Sequence, residues 1–401
     1  MVPPSVLASA SNAVPAVVLA GLGAAVLAAI LTRMLVAAGH RAGALDSPGA
    51  SGHAKELRRV PNVGGIAIVA TVALPLAAIL AVDRIVGGEE LARRMVESGR
   101  FDALVPSALR LPDTARQAFW ILASMLALHV LGIVDDRRAL SAWPKLLVQL
   151  FAATLAVTMA DVRVLTLLDG PAGGPWLSVA LSVAFVVAMT NALNFLDNMD
   201  GLSGGVAAIA AASLAVAATI AQQWATAGLL AVLAGAIFGF LVFNFPWRAG
   251  SAARIFMGDG GSLPVGFMLA LLAMQITFTA PEDLEYALGT RWYGVLSPLV
   301  ILAVPLYDAF TVSVLRLVQG KSPMVGDQQH FSHRLVMRGL SRRGAVLLIC
   351  ALAATCGVAG LLLGTAAPWQ AVLIGIQVAL VLATIAALER PMLARMAEDR
   401  R

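Results

Sequence analysis

Apolar runs of about twenty residues recur from one end of this 401-residue chain to the other, and they constrain the fold more than any motif does. A helix rising ~1.5 Å per residue needs ~20 residues to cross the ~30 Å hydrocarbon core of a bilayer. In that medium every backbone N–H and C=O must be satisfied within the chain, so runs of this kind form helices. Eleven candidates lie near 15–39, 62–83, 118–134, 144–160, 175–194, 202–221, 224–243, 262–280, 292–315, 344–365 and 369–388. A composition of 59% hydrophobic and 13% charged residues, against ~25% charged in soluble domains, excludes a water-soluble globular or disordered protein. The expected fold is an all-α integral membrane bundle of ten or eleven transmembrane helices, a single polytopic domain over 1–401. The first run lacks a basic leader and exceeds signal-peptide length, so it is expected to stay as the first span. Cys350 and Cys356 lie six apart within one apolar run, which gives neither a disulfide framework nor a CxxC metal site.

The polar loops are short except 84–117 and 316–343. If the first span runs from outside to inside, 20 of the 28 Lys and Arg residues fall on one side and eight on the other, six of these eight within 84–117. The positive-inside rule then places loop 40–61 in the cytoplasm and the N-terminus outside, with 84–117 an extracytoplasmic amphipathic element on the membrane surface. The expected location is the inner (plasma) membrane. This asymmetry accounts for the net charge of +5, and no nucleic-acid partner is expected. All seven Trp residues, at 120, 143, 176, 224, 247, 292 and 369, fall near proposed span ends, where amphipathic rings settle.

The polar clusters between the runs share the cytoplasmic side of this topology. They are DSPGASGHAKELRRVPNVGG (46–65), DDRRALSAWPK (135–145), NALNFLDNMDGLSGG (191–205), NFPWRAGSAARIFMGDGGS (244–262) and YDAF…GKSPMVGDQQHFSHRL (307–335). Bundled helices would gather these ends around one composite site. Ionisable groups at span ends persist when they are paired, solvated or bound to metal. Asp135, Asp136, Asp197, Asp200 and Asp259 form a carboxylate set whose mutual repulsion calls for a cation. A hard ion held by one or two carboxylates and completed by water and phosphate oxygens describes Mg²⁺, with Mn²⁺ as the alternative. The segment 258–262, opening a helix, is expected to aim backbone N–H groups at a phosphate. Lys145, His330, His333 and Arg334 supply positive donors, and Gly64-Gly65 lets backbone approach a ligand closely. Together these residues indicate phosphate chemistry at a membrane surface.

Between Asp46 and Ser341 the blocks D-x-P…H…P-x-x-GG, GIVDD…L…K, N-A-x-N-x-x-D-x-x-DGL, N-x-P…FMGD-x-GS, P-x-x-D and D-x-x-H-x-x-HRL follow in order. In this the chain resembles the polyprenyl-phosphate N-acetylhexosamine-1-phosphate transferases, the family of MraY, WecA and TagO. The resemblance implies a Mg²⁺-dependent transfer of a sugar-1-phosphate, N-acetylhexosamine-1-phosphate, from a UDP-sugar to undecaprenyl phosphate, giving UMP and a polyprenyl-diphospho-sugar that initiates a cell-envelope glycan. It implies catalytic roles for Asp135 and Asp136 and metal binding by Asp259 with Asn194. Asp197, Asp200 and Phe256 would line the nucleotide pocket, and Lys145, His330, His333 and Arg334 would bind the diphosphate; His53 and Asn191 join the substrate-binding set. Homodimers occur among relatives, and a homodimer is carried as an expectation. Two positions depart from the pattern: Ser332 stands where the WecA-like branch has a histidine, and Asn198 where the family often has glycine. The chain also lacks the HHHFE-type stretch of MraY, so it is nearer the WecA and TagO branch.

Other readings stay open on the residues. A phosphate monoester is already largely dianionic near pH 7, so Asp135 can be base, positioner or nucleophile. His330 and His333 also suit zinc, His53 either substrate contact or loop structure, and Asp46 and Asp308 either loop orientation or substrate contact. Asn191 suits a hydrogen bond between helices, and His129, inside a span, a packed side chain with one partner. The alternative functions are an MraY-like phospho-MurNAc-pentapeptide transferase and, from a different class, an ion-coupled secondary transporter. A transporter places its charges near the bilayer midplane and shows an internal repeat.

Overall fold

A computed structural model of the chain describes residues 4–42, 60–99, 105–248, 250–278, 292–320 and 330–398. His53 and Asp46 lie outside the described residues, as does most of the loop expected over 40–61. Fifteen α-helices follow in order among the described residues, with no strand: α1 Pro4–Ala42, α2 Gly64–Ile85, α3 Gly88–Ser98, α4 Val105–Leu109, α5 Leu111–Arg137, α6 Ala142–Met159, α7 Trp176–Leu196, α8 Leu202–Ile220, α9 Trp224–Asn244, α10 Asp259–Phe278, α11 Ser297–Ile301, α12 Ala303–Val318, α13 Phe331–Met337, α14 Arg342–Leu363 and α15 Pro368–Glu398.

Ten of these, α1, α2, α5 to α10, α14 and α15, are long and apolar enough to cross a membrane. The protein is an all-helical, multi-pass membrane protein. The remaining apolar run, 292–315, is a broken helix: a short 3-10 turn at Trp292–Leu296, then α11, then α12. The break falls at Leu302, because Pro305 has no N–H to continue the ladder and is tolerated only in the first turn of a new helix. Tyr293 at the start of this segment donates to the Ala366 carbonyl between α14 and α15, while Asp308 in α12 reaches His330 just before α13. The segment thus still connects the two ends of the bundle.

Helix α5 begins seven residues before the expected span, at a Leu-Pro step with Asp113 in its first turn, where proline fits and a carboxylate meets the positive end of the helix dipole. Within 84–117, α3 buries Gly88 and Ala92 and turns Arg93 and Arg94 outward onto Glu90, the amphipathic element the sequence predicts. Trp143, Trp176, Trp224 and Trp369 occupy the first or second position of their helices.

Helix α10 is the axle of the bundle. In its most apolar stretch 89% of the residues are buried, against 11% for α1 and α15, as expected for a helix apolar on every side. It packs on α2, α5, α7, α8 and α9, so its first residue, Asp259, emerges among the ends of its neighbours. Helix α1 lies along α9 on small residues: a Cβ on Gly235 would strike the Gly21 carbonyl, and one on Gly239 the Ala25 carbonyl. Without a hydrophobic drive between helices in lipid, such close backbone approach supplies the packing.

Candidate functional site

One end of the bundle gathers the start of α2, the end of α5, the start of α6, the end of α7 and the start of α10. The segment before α10 runs beside the start of α2: Phe256 N–H donates to the Pro61 carbonyl, and the Phe256 and Met257 carbonyls accept Gly64 and Gly65 N–H. Glycine is required there, because a Cβ on Gly65 would overlap the Gly261 backbone. Gly132 faces the carbonyl of Asp259 in the same way across the α5 and α10 contact. Gly132→Ala is therefore expected to push α5 off α10 and cost about 1–3 kcal/mol of stability, read as a fall in thermal unfolding temperature in detergent. An unchanged midpoint would show that the two helices do not meet there.

The adjacent acids at the end of α5 have separate surroundings. Asp136 is folded into the start of α10: Oδ1 accepts the Asp259 N–H at 3.0 Å and Asn62 Nδ2 at 2.9 Å, and Oδ2 accepts the Gly260 N–H at 3.0 Å. It acts as the helix cap that α10 lacks in its own sequence. This corrects the expectation that the start of α10 aims free N–H groups at a phosphate, since the first two already have Asp136. Asp135 faces the other way. Its Oδ1 accepts the Leu140 N–H at 2.7 Å and its Oδ2 accepts Lys145 Nζ at 2.8 Å.

Lys145 stands between two carboxylates, lying 3.8 Å from Asp259 Oδ2 as well. The Asp259 side chain is 27% exposed, and its Oδ1 accepts Asn194 Nδ2 at 2.8 Å. Asn194 Nδ2 also reaches Ser262 Oγ at 3.0 Å, so a cation at Asn194 would have only Oδ1 to use. The side chains of Asp135 and Asp259 around Lys145 offer oxygen ligands only. Among the described residues no three His, Cys, Asp or Glu side chains form a ready-made cage. Such a donor set fits a hard divalent ion that takes one or two carboxylates and completes its shell with water and phosphate oxygens.

The last turns of α7 connect this cluster to the rest of the site. Asn191 is spent between helices: its Nδ2 donates to Gln149 Oε1 at 2.6 Å and to the Val187 carbonyl, which is the inter-helix reading of that residue. Asn194 holds Asp259, and Phe195 packs against the His330 ring at 6.1 Å between centroids. Asp197 caps the helix. Asn198 Oδ1 accepts the Ser332 hydroxyl at 2.6 Å, so the two positions that depart from the family pattern are bonded to each other. Asp200 accepts the Ala253 N–H at 3.1 Å, tying the segment of Phe256 to the turn before α8. Its carboxylate meets a backbone amide, and Phe256, half-buried, is held at the start of α2 by its backbone bonds to Pro61 and Gly64.

In α13, Arg334 and Ser332 are buried while His333 is half-buried. Burial, and after it the positive charge of His330 and Arg342, hold the His333 imidazole below its ordinary value, with Asp308 opposing. The folded chain thus binds this proton less readily than the unfolded chain does. Stability from this group is complete above the unfolded value of about 6.5 and is lost as pH falls below it. Unfolding temperature is expected to drop between about pH 7.5 and 5.5, and His333→Gln to flatten part of that slope.

The site also uses residues absent from the sequence-derived set: Asn62, Gln149, and Asn244, which accepts the Gly201 N–H and donates to the Ile255 carbonyl. The signal was a lone amide at the edge of an apolar run for Asn62 and Asn244 and within one for Gln149, where an unsatisfied polar group is costly. His129 has the hydrogen-bond partner expected of it, the Gly260 carbonyl.

Residues 118–277 match the family described as Glycosyl transferase family 4. The chain is 31% identical over 249 residues to a protein of Bacillus subtilis (strain 168) named probable undecaprenyl-phosphate N-acetylglucosaminyl 1-phosphate transferase, covering 61% of this chain and 65% of that one. It is 36% identical over 237 residues to the decaprenyl-phosphate N-acetylglucosaminephosphotransferase of Mycolicibacterium smegmatis (strain ATCC 700084 / mc(2)155), covering 55% and 56%. It is 28% identical over 247 residues to the undecaprenyl-phosphate alpha-N-acetylglucosaminyl 1-phosphate transferase of Yersinia pestis, covering 60% and 64%. The chain thus spans between half and two thirds of the length of these relatives.

Proposed function

We propose that this chain, whose residues 118–277 match glycosyl transferase family 4, is an enzyme that transfers N-acetylglucosamine-1-phosphate from UDP-N-acetylglucosamine to undecaprenyl or decaprenyl phosphate. The observation that carries this reading is Lys145 set between Asp135 and Asp259 at the membrane end of the bundle. An ammonium flanked by carboxylates at the ends of membrane-crossing helices suits a diphosphate and a lipid phosphate meeting. The named relatives supply the sugar and the carrier.

An oxygen of the lipid phosphate attacks the phosphorus bonded to the sugar. The bond from that phosphorus to the oxygen shared with the UMP phosphate breaks, and UMP leaves. Mg²⁺, bound by Asp259 with Asp135 beside it, would supply charge neutralisation on the diphosphate. Lys145, His333 and Arg334 bind the diphosphate. Both oxygens of Asp135 already accept hydrogen bonds, which favours its role as positioner of Lys145 over that of nucleophile. Asn194 orients Asp259, Asp136 fixes the start of α10, and Asp197, Asp200 and Phe256 border the nucleotide. The charge asymmetry of the loops supports a cytoplasmic position for this end in a plasma-membrane protein with its N-terminus outside.

Purified chain incubated with UDP-sugars and undecaprenyl phosphate tests the reading. UMP release is expected only with both substrates present and a divalent ion added, and to be fastest with UDP-N-acetylglucosamine. Equal release without the lipid phosphate would overturn it.

A further inference from the structure

The two histidines near α13 are placed differently. His330, the residue before the helix, is 5% exposed and Asp308 is 1% exposed, whereas His333 is half-buried. His330 Nδ1 lies 2.9 Å from Asp308 Oδ2, and Asp308 Oδ1 accepts the Phe331 N–H at 2.9 Å. An ionised carboxylate can only accept, so Nδ1 carries the proton. The imidazole packs on Phe195, whose ring also carries the Arg316 guanidinium 5.2 Å from its centroid. Phe195 follows Asn194, the residue that holds Asp259. Contacts therefore run without interruption from α12 through His330 to the turn of α7 that orients the carboxylate cluster.

We propose that His330 acts through Nδ1 as a positioning residue: with Asp308 it forms a strut that seats α13, and so His333 and Arg334, against the end of α7, and it does not itself contact substrate. The inference rests on the reading of α13 as the diphosphate-binding helix, and reverses the sequence expectation for one of its two histidines. It makes Asp308 a site residue of the same kind.

Side-chain geometry separates this from a substrate contact. An asparagine amide nitrogen stands as many bonds from Cβ as histidine Nδ1 does, and a glutamine amide nitrogen as many as Nε2. His330→Asn therefore keeps the group that meets Asp308, and His330→Gln keeps the opposite one. Four variants of the full chain, His330→Ala, His330→Asn, His330→Gln and His330→Asn with Asp308→Ala, are compared in detergent by UMP release and by thermal unfolding. His330→Ala and His330→Gln are expected to raise the donor KM about tenfold, the loss of one buried hydrogen bond, with acceptor KM nearly unchanged, and to lower the unfolding temperature together. His330→Asn is expected to recover most of both losses, and to lose that recovery when Asp308 is removed. Asparagine is a good residue at a helix start in its own right, and dependence on Asp308 distinguishes the strut from that effect. Recovery by glutamine rather than asparagine, or no effect of His330→Ala, would overturn the proposal. If the native chain releases no UMP, the transferase reading fails, while the order of unfolding temperatures still decides the strut.

Discussion

Asp259→Asn is expected to lower turnover by about 10³-fold or more while the chain stays folded. The substitution keeps the shape of the side chain and an oxygen that can accept from Asn194, which holds Oδ1 at 2.8 Å. It removes the negative charge beside Lys145 and the anionic oxygen that a hard ion prefers. UMP release measured across a Mg²⁺ titration checks it, with an unfolding curve as the control. A variant with native turnover and native Mg²⁺ dependence would take Asp259 out of the metal site.

Asp136→Ala has a different expected outcome, in stability rather than in chemistry. Three donors converge on this carboxylate, two of them the first backbone N–H groups of α10 and the third Asn62. Leaving them without an acceptor in a half-buried setting is expected to cost about 3 kcal/mol, from the lost helix cap and the stranded donors. Asp135→Asn keeps an acceptor for Leu140 and is expected to fold like the native chain while binding Lys145 more weakly. The two adjacent acids are thus separable by experiment: one set of unfolding curves should shift only for Asp136, and one set of turnover numbers should fall for Asp135 with folding intact. If both variants fold normally, the cap is not what fixes α10.

Much of this was legible in the sequence because membrane helices announce themselves by length and hydropathy. The ten long spans followed directly, and so did the meeting of Asp135, Lys145, Asn194 and Asp259, since those residues sit at run ends that alternate from side to side. The broken helix over 292–318 was harder, because hydropathy is blind to the ladder gap that Pro305 makes. Adjacent residues were harder still. Asp135 and Asp136 look identical in a string, and only the approach of α10, allowed by Gly132, turns one into a cap and leaves the other beside Lys145. Amide pairs such as Gln149 with Asn191 depend on which faces of two helices meet, which an apolar run with little periodicity does not encode. The bond between Ser332 and Asn198 shows the same thing over a longer range: two separate oddities in the sequence are one contact in space.

The fate of the phosphate next to the sugar tests the account most directly. UDP-N-acetylglucosamine labelled at that phosphorus is incubated with the purified chain, Mg²⁺ and undecaprenyl phosphate, and lipid and aqueous products are separated. The account predicts that the label moves into the lipid fraction in step with UMP release. Label that stays in water, as UDP or inorganic phosphate, would mean that the site formed by Asp135, Lys145 and Asp259 carries out some other reaction.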